Sequence, residues 1–144
     1  MAIRFQVVVD ADDPHALADW WAAALEWTVE PSDEAFIRSM IDQGMAAQHD
    51  TTTHRGVLVW KEGAAIIAPD GETGPGSRIL FQAVPERKTV KNRVHLDLKV
   101  GEDHIEATRD RLVAAGATFL HEGHQGPQRW FTLTDPEGNE FCVA

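Results

Sequence analysis

The feature that most constrains the fold is a repeated order of elements in the two halves of the chain. Alternating apolar and polar residues predict strands at residues 3–9 and 91–100, and helical spacing of apolar residues follows each strand. Gln6 lies seven residues before Asp13, and His95 lies seven residues before Glu102. About three further strands are predicted in each half. Because so short a βαβββ unit cannot bury both faces of its sheet, we expect two units to pair, within one chain or between chains.

This repeat predicts an α+β fold. Two βαβββ modules are expected to pair into a curved mixed sheet with a central cleft and with the helices on the outside. The length of 144 residues corresponds to a single domain that is large enough for a hydrophobic core. We predict module one at residues 1–85, a linker at 86–92 and module two at 93–144.

Within each module, turn and cap residues predict where elements begin and end. Pro14 is expected at the first position of a helix, with Asp13 as its N-cap. Residues 32–55 break the repeat and are predicted to be an insert of one helix and a polar loop at 50–56. Further loops are expected at residues 69–77 and 121–128, and a turn at 135–139.

Composition restricts the class of partner. The net charge is −10 with neutral histidines, and no basic stripe suited to a nucleic-acid backbone is present. No apolar run is long enough to span a bilayer and no signal-peptide pattern is seen, so we expect a cytoplasmic location and no membrane partner. The single cysteine, Cys142, excludes an internal disulfide. The acidity fits either plain solubility or a preference for neutral or cationic small ligands.

The strand at 91–100 carries the most suggestive side chains. Its apolar residues alternate with His95 and Asp97, which are therefore expected to face the cleft together with Gln6 and Val8 of the first strand. Trp60 and Trp130 lie on predicted strands and either form a ligand wall or pack in the core. Each of these residues also has a structural interpretation, such as a hydrogen-bonded histidine. The remaining histidines with a chance of lining the cleft mouth are His49, His54, His121 and His124.

Several segments together resemble one superfamily. They are residues 9–14 before a helix with Trp20-Trp21, residues 80–85, 91–98 and 116–118, and the closing segment 135–142. The chain resembles the vicinal oxygen chelate superfamily, the group of glyoxalases, bleomycin-resistance proteins and extradiol dioxygenases, and most closely the glyoxalase-like proteins common in actinobacteria. The resemblance covers nearly the whole chain except the insert.

The resemblance implies a divalent-metal site at four strand positions. Enzymes of the superfamily usually have His or Gln, Glu, His and Glu there, and by position these fall on Gln6, Gln82, His95 and Cys142. Two amides, one imidazole and a thiol suit a hard ion poorly, since Mg²⁺ and Mn²⁺ prefer charged oxygen donors. A thiolate would support Zn²⁺. Asp97 would restore a carboxylate if it points inward beside His95.

Two functions of different class are consistent with these residues. The first is a small-molecule binding protein that holds an aromatic or cationic compound without a catalytic metal. Its ligand-binding residues would be Gln6, Trp60, Gln82, His95 and Trp130. The alternative is a lyase, isomerase or dioxygenase in which Zn, Mn, Ni or Fe chelates vicinal oxygens of the substrate. Asp97 and Glu140 are the candidate catalytic carboxylates, and a homodimer is expected.

Overall fold

The computed structural model describes residues 1–69 and 77–144, which form two compact units, Met1–Glu86 and Arg87–Ala144. We call them unit 1 and unit 2. Most of the loop predicted at residues 69–77 lies outside the described residues. Among the described helices, none is both long enough and apolar enough to cross a membrane.

Unit 1 is a four-stranded mixed sheet with a helix on one face and an insert between its second and third strands. Its elements are β1 (Val7–Ala11), α1 (Pro14–Leu25), β2 (Thr28–Val29), α2 (Glu34–Asp42), a short 3₁₀ helix (Gln48–Asp50), β3 (Thr51–His54), β4 (Val57–Trp60), β5 (Gly63–Ile67) and β6 (Arg78–Ala83). The sheet has the order β1-β6-β5-β2, and β1 and β6 run parallel.

Helix α1 begins and packs as its sequence predicts. The Asp13 carboxylate accepts a hydrogen bond from the Ala16 amide at 3.0 Å, and Pro14 occupies the first turn. Leu17 and Trp21 lie one turn apart on the buried face of the helix. The fully buried Phe81 of β6 contributes to the same core.

The insert corrects one prediction. Residues 50–56 were expected to form a loop, but β3 and β4 pair as an antiparallel hairpin, from Thr51 opposite Trp60 to His54 opposite Val57. Arg55 and Gly56 both have positive φ, of 51° and 80°, which is the backbone of a two-residue hairpin turn. The polar sequence concealed this strand, which pairs with β4 in a separate two-stranded sheet and leaves Thr52 and Thr53 exposed.

Unit 2 repeats the βαβββ order without an insert. It contains β7 (Leu96–Leu98), a short 3₁₀ helix (Glu102–His104), α3 (Ile105–Ala114), β8 (Thr118–Gln125), β9 (Gln128–Thr134) and β10 (Glu140–Val143). Its sheet order is β7-β10-β9-β8, with β7 and β10 parallel. The core is formed by side chains that are at most 2% exposed, from α3 and from alternate positions of β9 and β10: Ile105, Leu112, Phe131, Leu133, Phe141 and Val143.

The two sheets share one topology. In each, the first strand pairs in parallel with the last, and the third and second strands of the module follow. This confirms an α+β fold made of two βαβββ modules. The pairing of the modules around a central cleft remains a prediction.

Three strand predictions have wrong limits. Strand β1 begins at Val7 rather than at residue 3, and Val7 is register partner to Ile79 of β6. Strand β7 covers only Leu96–Leu98 of the predicted 91–100, since the short β10 pairs with just these residues. The loop predicted at 121–128 is mostly the second half of β8, which pairs with β9 as far as Gln125 opposite Gln128.

Candidate functional site

Unit 2 holds a cavity of about 710 Å³ against one face of its sheet. Side chains along β9 and β10 alternate between this cavity and the core. Trp130, Thr132 and Cys142 line the cavity, whereas Phe131 and Val143 are buried with α3. The polar residues that line the cavity include His95, Asp97, His121, Gln125, Gln128 and Glu140.

His95, Asp97 and Cys142 form the chemical centre of this cavity. Asp97 and Cys142 are register partners across the parallel pair of β7 and β10, and His95 precedes Asp97 by two residues. His95 Nε2 lies 3.3 Å from Asp97 Oδ1, and one ligating atom from each of the three residues lies within 4.8 Å of the others. His95 and Asp97, which were predicted to share one face of their strand, therefore lie close to the thiol of Cys142.

A bulge in β8 adds His121 to the cavity. The pairing of β8 and β9 shifts between Phe119 and His121, so that Phe119 opposes Leu133 while His121 opposes Thr132. Residues two apart normally share a face, and the extra residue at Leu120 places these two on opposite faces. Because of this irregularity, the segment shows no strand alternation in its sequence.

Trp130 lies flat against its neighbour strand at a glycine. Gly123 is its register partner, and a Cβ added at Gly123 would lie 2.3 Å from Trp130 Cε2 and 2.6 Å from Nε1. The missing side chain is therefore what allows the indole to lie across β8. The result is an aromatic wall along one side of the cavity.

Glu140 is held by structural contacts. Its Oε1 accepts a hydrogen bond from Lys88 Nζ at 3.1 Å, and its Oε2 accepts one from the Asn92 amide at 3.1 Å. Burial raises the pKa of Glu140, but the hydrogen bonds from Asn92 and Lys88 outweigh burial, so the pKa lies below its ordinary value. With both oxygens engaged, Glu140 fastens residues 88–92 to β10, and we assign it no catalytic role.

Arg129 organises a cluster of charges at the edge of the cavity, which it lines together with Glu102. Its guanidinium pairs with Glu102 at 2.8 Å, with Glu106, and with Glu122 at 3.7 Å. It also lies 5.3 Å from the ring centroid of Phe131. The hydrogen bond from Arg129 lowers the pKa of Glu106, and the same bond raises that of Arg129.

Unit 1 has its own cavity, of about 750 Å³. Trp60 and Gln82 line it, together with Leu80 on the same strand as Gln82. Gln6 precedes β1 and is exposed, and its Oε1 accepts a hydrogen bond from Arg78 Nη1 at 2.7 Å. The predicted ligand-binding residues are thus divided, with His95 and Trp130 in unit 2 and the other three in unit 1.

One histidine cluster in unit 1 was missed. His54 Nε2 lies 2.7 Å from Asp19 Oδ2, Arg55 Nε lies 3.0 Å from the same oxygen, and the rings of His15 and His54 stack with centroids 5.1 Å apart. His15 Nε2 contacts the Trp60 carbonyl oxygen at 2.7 Å. The sequence signal for this cluster was the spacing of His15 and Asp19, one helical turn apart. Their partners, His54 and Arg55, lie on the hairpin that the sequence did not predict. His49, by contrast, is highly exposed beside Asp50.

The donors in unit 2 suit one class of metal. A neutral imidazole, one carboxylate and one thiol offer nitrogen, oxygen and sulfur, which fits the borderline-soft Zn²⁺ and not Mg²⁺, which needs oxygen ligands. Of the four positions implied by resemblance, His95 and Cys142 belong to this cluster, and Asp97 supplies its carboxylate.

Comparison with known proteins places the chain in a family. The sequence profile of the glyoxalase-like domain matches residues 6–144. The chain belongs to the glyoxalase-like domain family. No curated protein matches its sequence.

Solved structures share the fold at low sequence identity. A mutant of the fosfomycin resistance protein FosX from Listeria monocytogenes, complexed with Mn(II) and 1S,2S-dihydroxypropylphosphonic acid, has a TM-score of 0.64 at 9% identity, over 99% of this chain and 89% of that chain. A glyoxalase/bleomycin resistance protein/dioxygenase family enzyme from Burkholderia phytofirmans has a TM-score of 0.59 at 15% identity, over 96% and 94%. These likenesses show the vicinal oxygen chelate fold, as the sequence predicted.

Proposed function

We propose that this glyoxalase-like protein binds a small aromatic or cationic molecule without a catalytic metal. The observation that carries the proposal is the aromatic wall of the unit 2 cavity, where Trp130 lies flat over Gly123. A planar ligand would stack on the indole, and the half-exposed Asp97 would attract a positive charge or accept a hydrogen bond from it. His95 would orient the ligand from the same strand segment.

The other three predicted ligand-binding residues lie in unit 1. Trp60 and Gln82 line the unit 1 cavity, and Gln6 lies beside Arg78. We propose that they contribute to ligand binding less than Trp130 does. We also propose a homodimer, which is expected for this architecture, and a cytoplasmic location, which is expected from the sequence pattern.

A second candidate function is a metal-dependent lyase, isomerase or dioxygenase. The specific observation in its favour is the cluster of His95, Asp97 and Cys142, whose ligating atoms lie within 4.8 Å of one another. FosX, a protein of the same fold, was solved with Mn(II). Here the donor set would suit zinc, which would polarise an oxygen of the substrate. We favour metal-free binding because His95 and Asp97 already pair with each other. In addition, the residues at two of the four implied ligand positions, Gln6 and Gln82, are neutral amides and not carboxylates.

The proposal is tested by titrating the protein with the planar cation 1-methylquinolinium and following tryptophan quenching. We expect saturable quenching that Trp130→Leu abolishes, because this variant removes the stacking surface. Trp60→Phe is the matched control, since its indole belongs to the other unit, and it should bind the cation with nearly the wild-type affinity. Unchanged binding in Trp130→Leu would refute the assignment to unit 2.

A further inference from the structure

Cys142 sits where a nucleophile can reach a bound small molecule. It lies in the middle of β10 on the cavity face and lines the unit 2 cavity although its exposure is only 8%. The core side of the same strand is taken by Phe141 and Val143, which are nearly fully buried. The thiol is thus shielded from bulk water and open to the cavity.

Its neighbours supply the other parts of a thiol-based site. Thr132 Oγ1 lies 3.6 Å from Cys142 Sγ, and His95 and Asp97 each place a ligating atom within 4.8 Å of the sulfur. Asp97 Oδ1 faces His95 Nε2 at 3.3 Å. A carboxylate in this position can orient the imidazole ring of His95, as in sites where a histidine acts as a base.

We propose that Cys142 is a covalent capture site for electrophilic aromatic molecules, specifically conjugated carbonyl compounds. The sulfur forms a bond to the β-carbon of the activated alkene while the C=C π bond breaks. The thiol proton passes to His95, and the α-carbon then takes that proton from the imidazolium. No oxidant, reductant or leaving group is needed. The cavity supports this class, since Trp130 gives a stacking wall for the ring beside a soft nucleophile.

The chain offers a clean readout for this chemistry. Cys142 is the only cysteine in the sequence, so any thiol adduct seen in the intact mass reports this one site. The capture uses the same cavity as the proposed reversible binding but does not depend on it. A Cys142→Ser variant that still binds 1-methylquinolinium would keep the proposed function even if capture failed.

The test is the rate of adduct formation with N-phenylacrylamide on the full-length native protein. We expect one adduct per chain, formed faster than in the urea-unfolded chain and absent in Cys142→Ser. His95→Ala should slow the reaction roughly a hundredfold, the low end of general-base contributions. Added imidazole should restore part of the lost rate, which would not happen if His95 were only structural. His124→Ala, an exposed histidine of β8 that does not line the cavity, is the control and should react at the wild-type rate.

Three results would overturn the proposal. The first is a native rate no higher than that of the unfolded chain. The second is a folded His95→Ala variant, judged by near-ultraviolet circular dichroism, that reacts as fast as wild type. The third is purified protein that carries one zinc ion per chain and reacts only after chelation, which would assign the cluster to a metal.

Discussion

Gly123 and Trp130 show how a single missing side chain shapes the cavity. A Cβ at Gly123 would fall within 2.6 Å of three atoms of the indole, which no neighbour can absorb without moving the ring. The orientation of the aromatic wall therefore depends on a residue that is not itself among those lining the cavity. Sequence reasoning identified Trp130 but had no way to identify Gly123, because the pairing passes through the bulge at Leu120.

We expect Gly123→Ala to destabilise the protein by about 1–3 kcal/mol, the usual cost of overpacking, and to weaken binding of 1-methylquinolinium. Urea unfolding and the quenching titration measure the two effects. The control is the same substitution in a Trp130→Phe background, where the smaller ring should remove most of the cost. An equal loss of stability in both backgrounds would contradict the proposed contact.

Glu140 gives a pH-dependent contribution to stability. Because its pKa is lower in the folded protein than its ordinary value, its stabilising effect is fully present above the ordinary pKa and is lost as the pH falls through the folded pKa. We expect the free energy of unfolding of wild type to fall in this acidic range more steeply than that of Glu140→Gln. Urea titrations at a series of pH values test this.

Lys88→Met provides the cross-check for Glu140. This variant removes the hydrogen bond from Lys88 Nζ but leaves the one from the Asn92 amide. It should therefore retain part of the difference between wild type and Glu140→Gln. Identical pH profiles for wild type and Glu140→Gln would show that the carboxylate contributes nothing.

At the scale of elements, the tip of the β3–β4 hairpin is fastened to α1 through Asp19, and its other end contacts α1 through His15 and the Trp60 carbonyl oxygen. Asp19 Oδ2 contacts both His54 Nε2 and Arg55 Nε at the hairpin tip. The side chains of His54 and Asp19 are 29% and 20% exposed. Arg55 is 76% exposed, so its ion pair is screened by water and contributes little. Of the two contacts that Asp19 makes at the hairpin tip, the one with His54 is therefore expected to contribute most of the stabilisation.

We expect Asp19→Ala to speed amide hydrogen exchange in residues 51–60, because it releases the hairpin tip. Strands β5 and β6 should keep their protection, since their ladder does not involve Asp19. His54→Ala should reproduce the effect and Arg55→Ala, the exposed partner, should not. Equal exchange in Asp19→Ala and wild type would mean that other contacts hold the hairpin, such as the hydrogen bond that the Leu58 amide donates to Glu34 Oε1 of α2 and the contact of His15 with the Trp60 carbonyl oxygen.

The elements also show what sequence patterns can and cannot reveal. Capping chemistry is local, so Asp13 and Pro14 marked the start of α1 correctly. Strand limits are set by the partner strand, so the ends of β1 and β7 were misplaced. The strand β3 was missed because its polar residues pair with β4 in a separate two-stranded sheet, and β8 because its bulge breaks the alternation.

At the scale of the whole molecule, the repeat in the sequence corresponds to a repeat in topology. Both sheets run in the order first, last, third, second strand of their module. Strand alternation predicted that His95 and Asp97 share a face, whereas the position of Cys142 beside them was implied by the family resemblance. The chemistry is less predictable than the fold, because the same positions can hold a metal, a ligand or a nucleophile according to a few substitutions.

The proposed function requires the unit 2 cavity to bind its ligand without a catalytic metal. The most direct test measures 1-methylquinolinium binding to tag-free protein in excess EDTA, with elemental mass spectrometry of the same sample. We predict saturable binding at less than stoichiometric metal, unchanged when zinc is added back. Binding that appears only with about one zinc ion per chain, and that His95→Ala abolishes together with the metal, would contradict the claim and favour the metal-dependent enzyme.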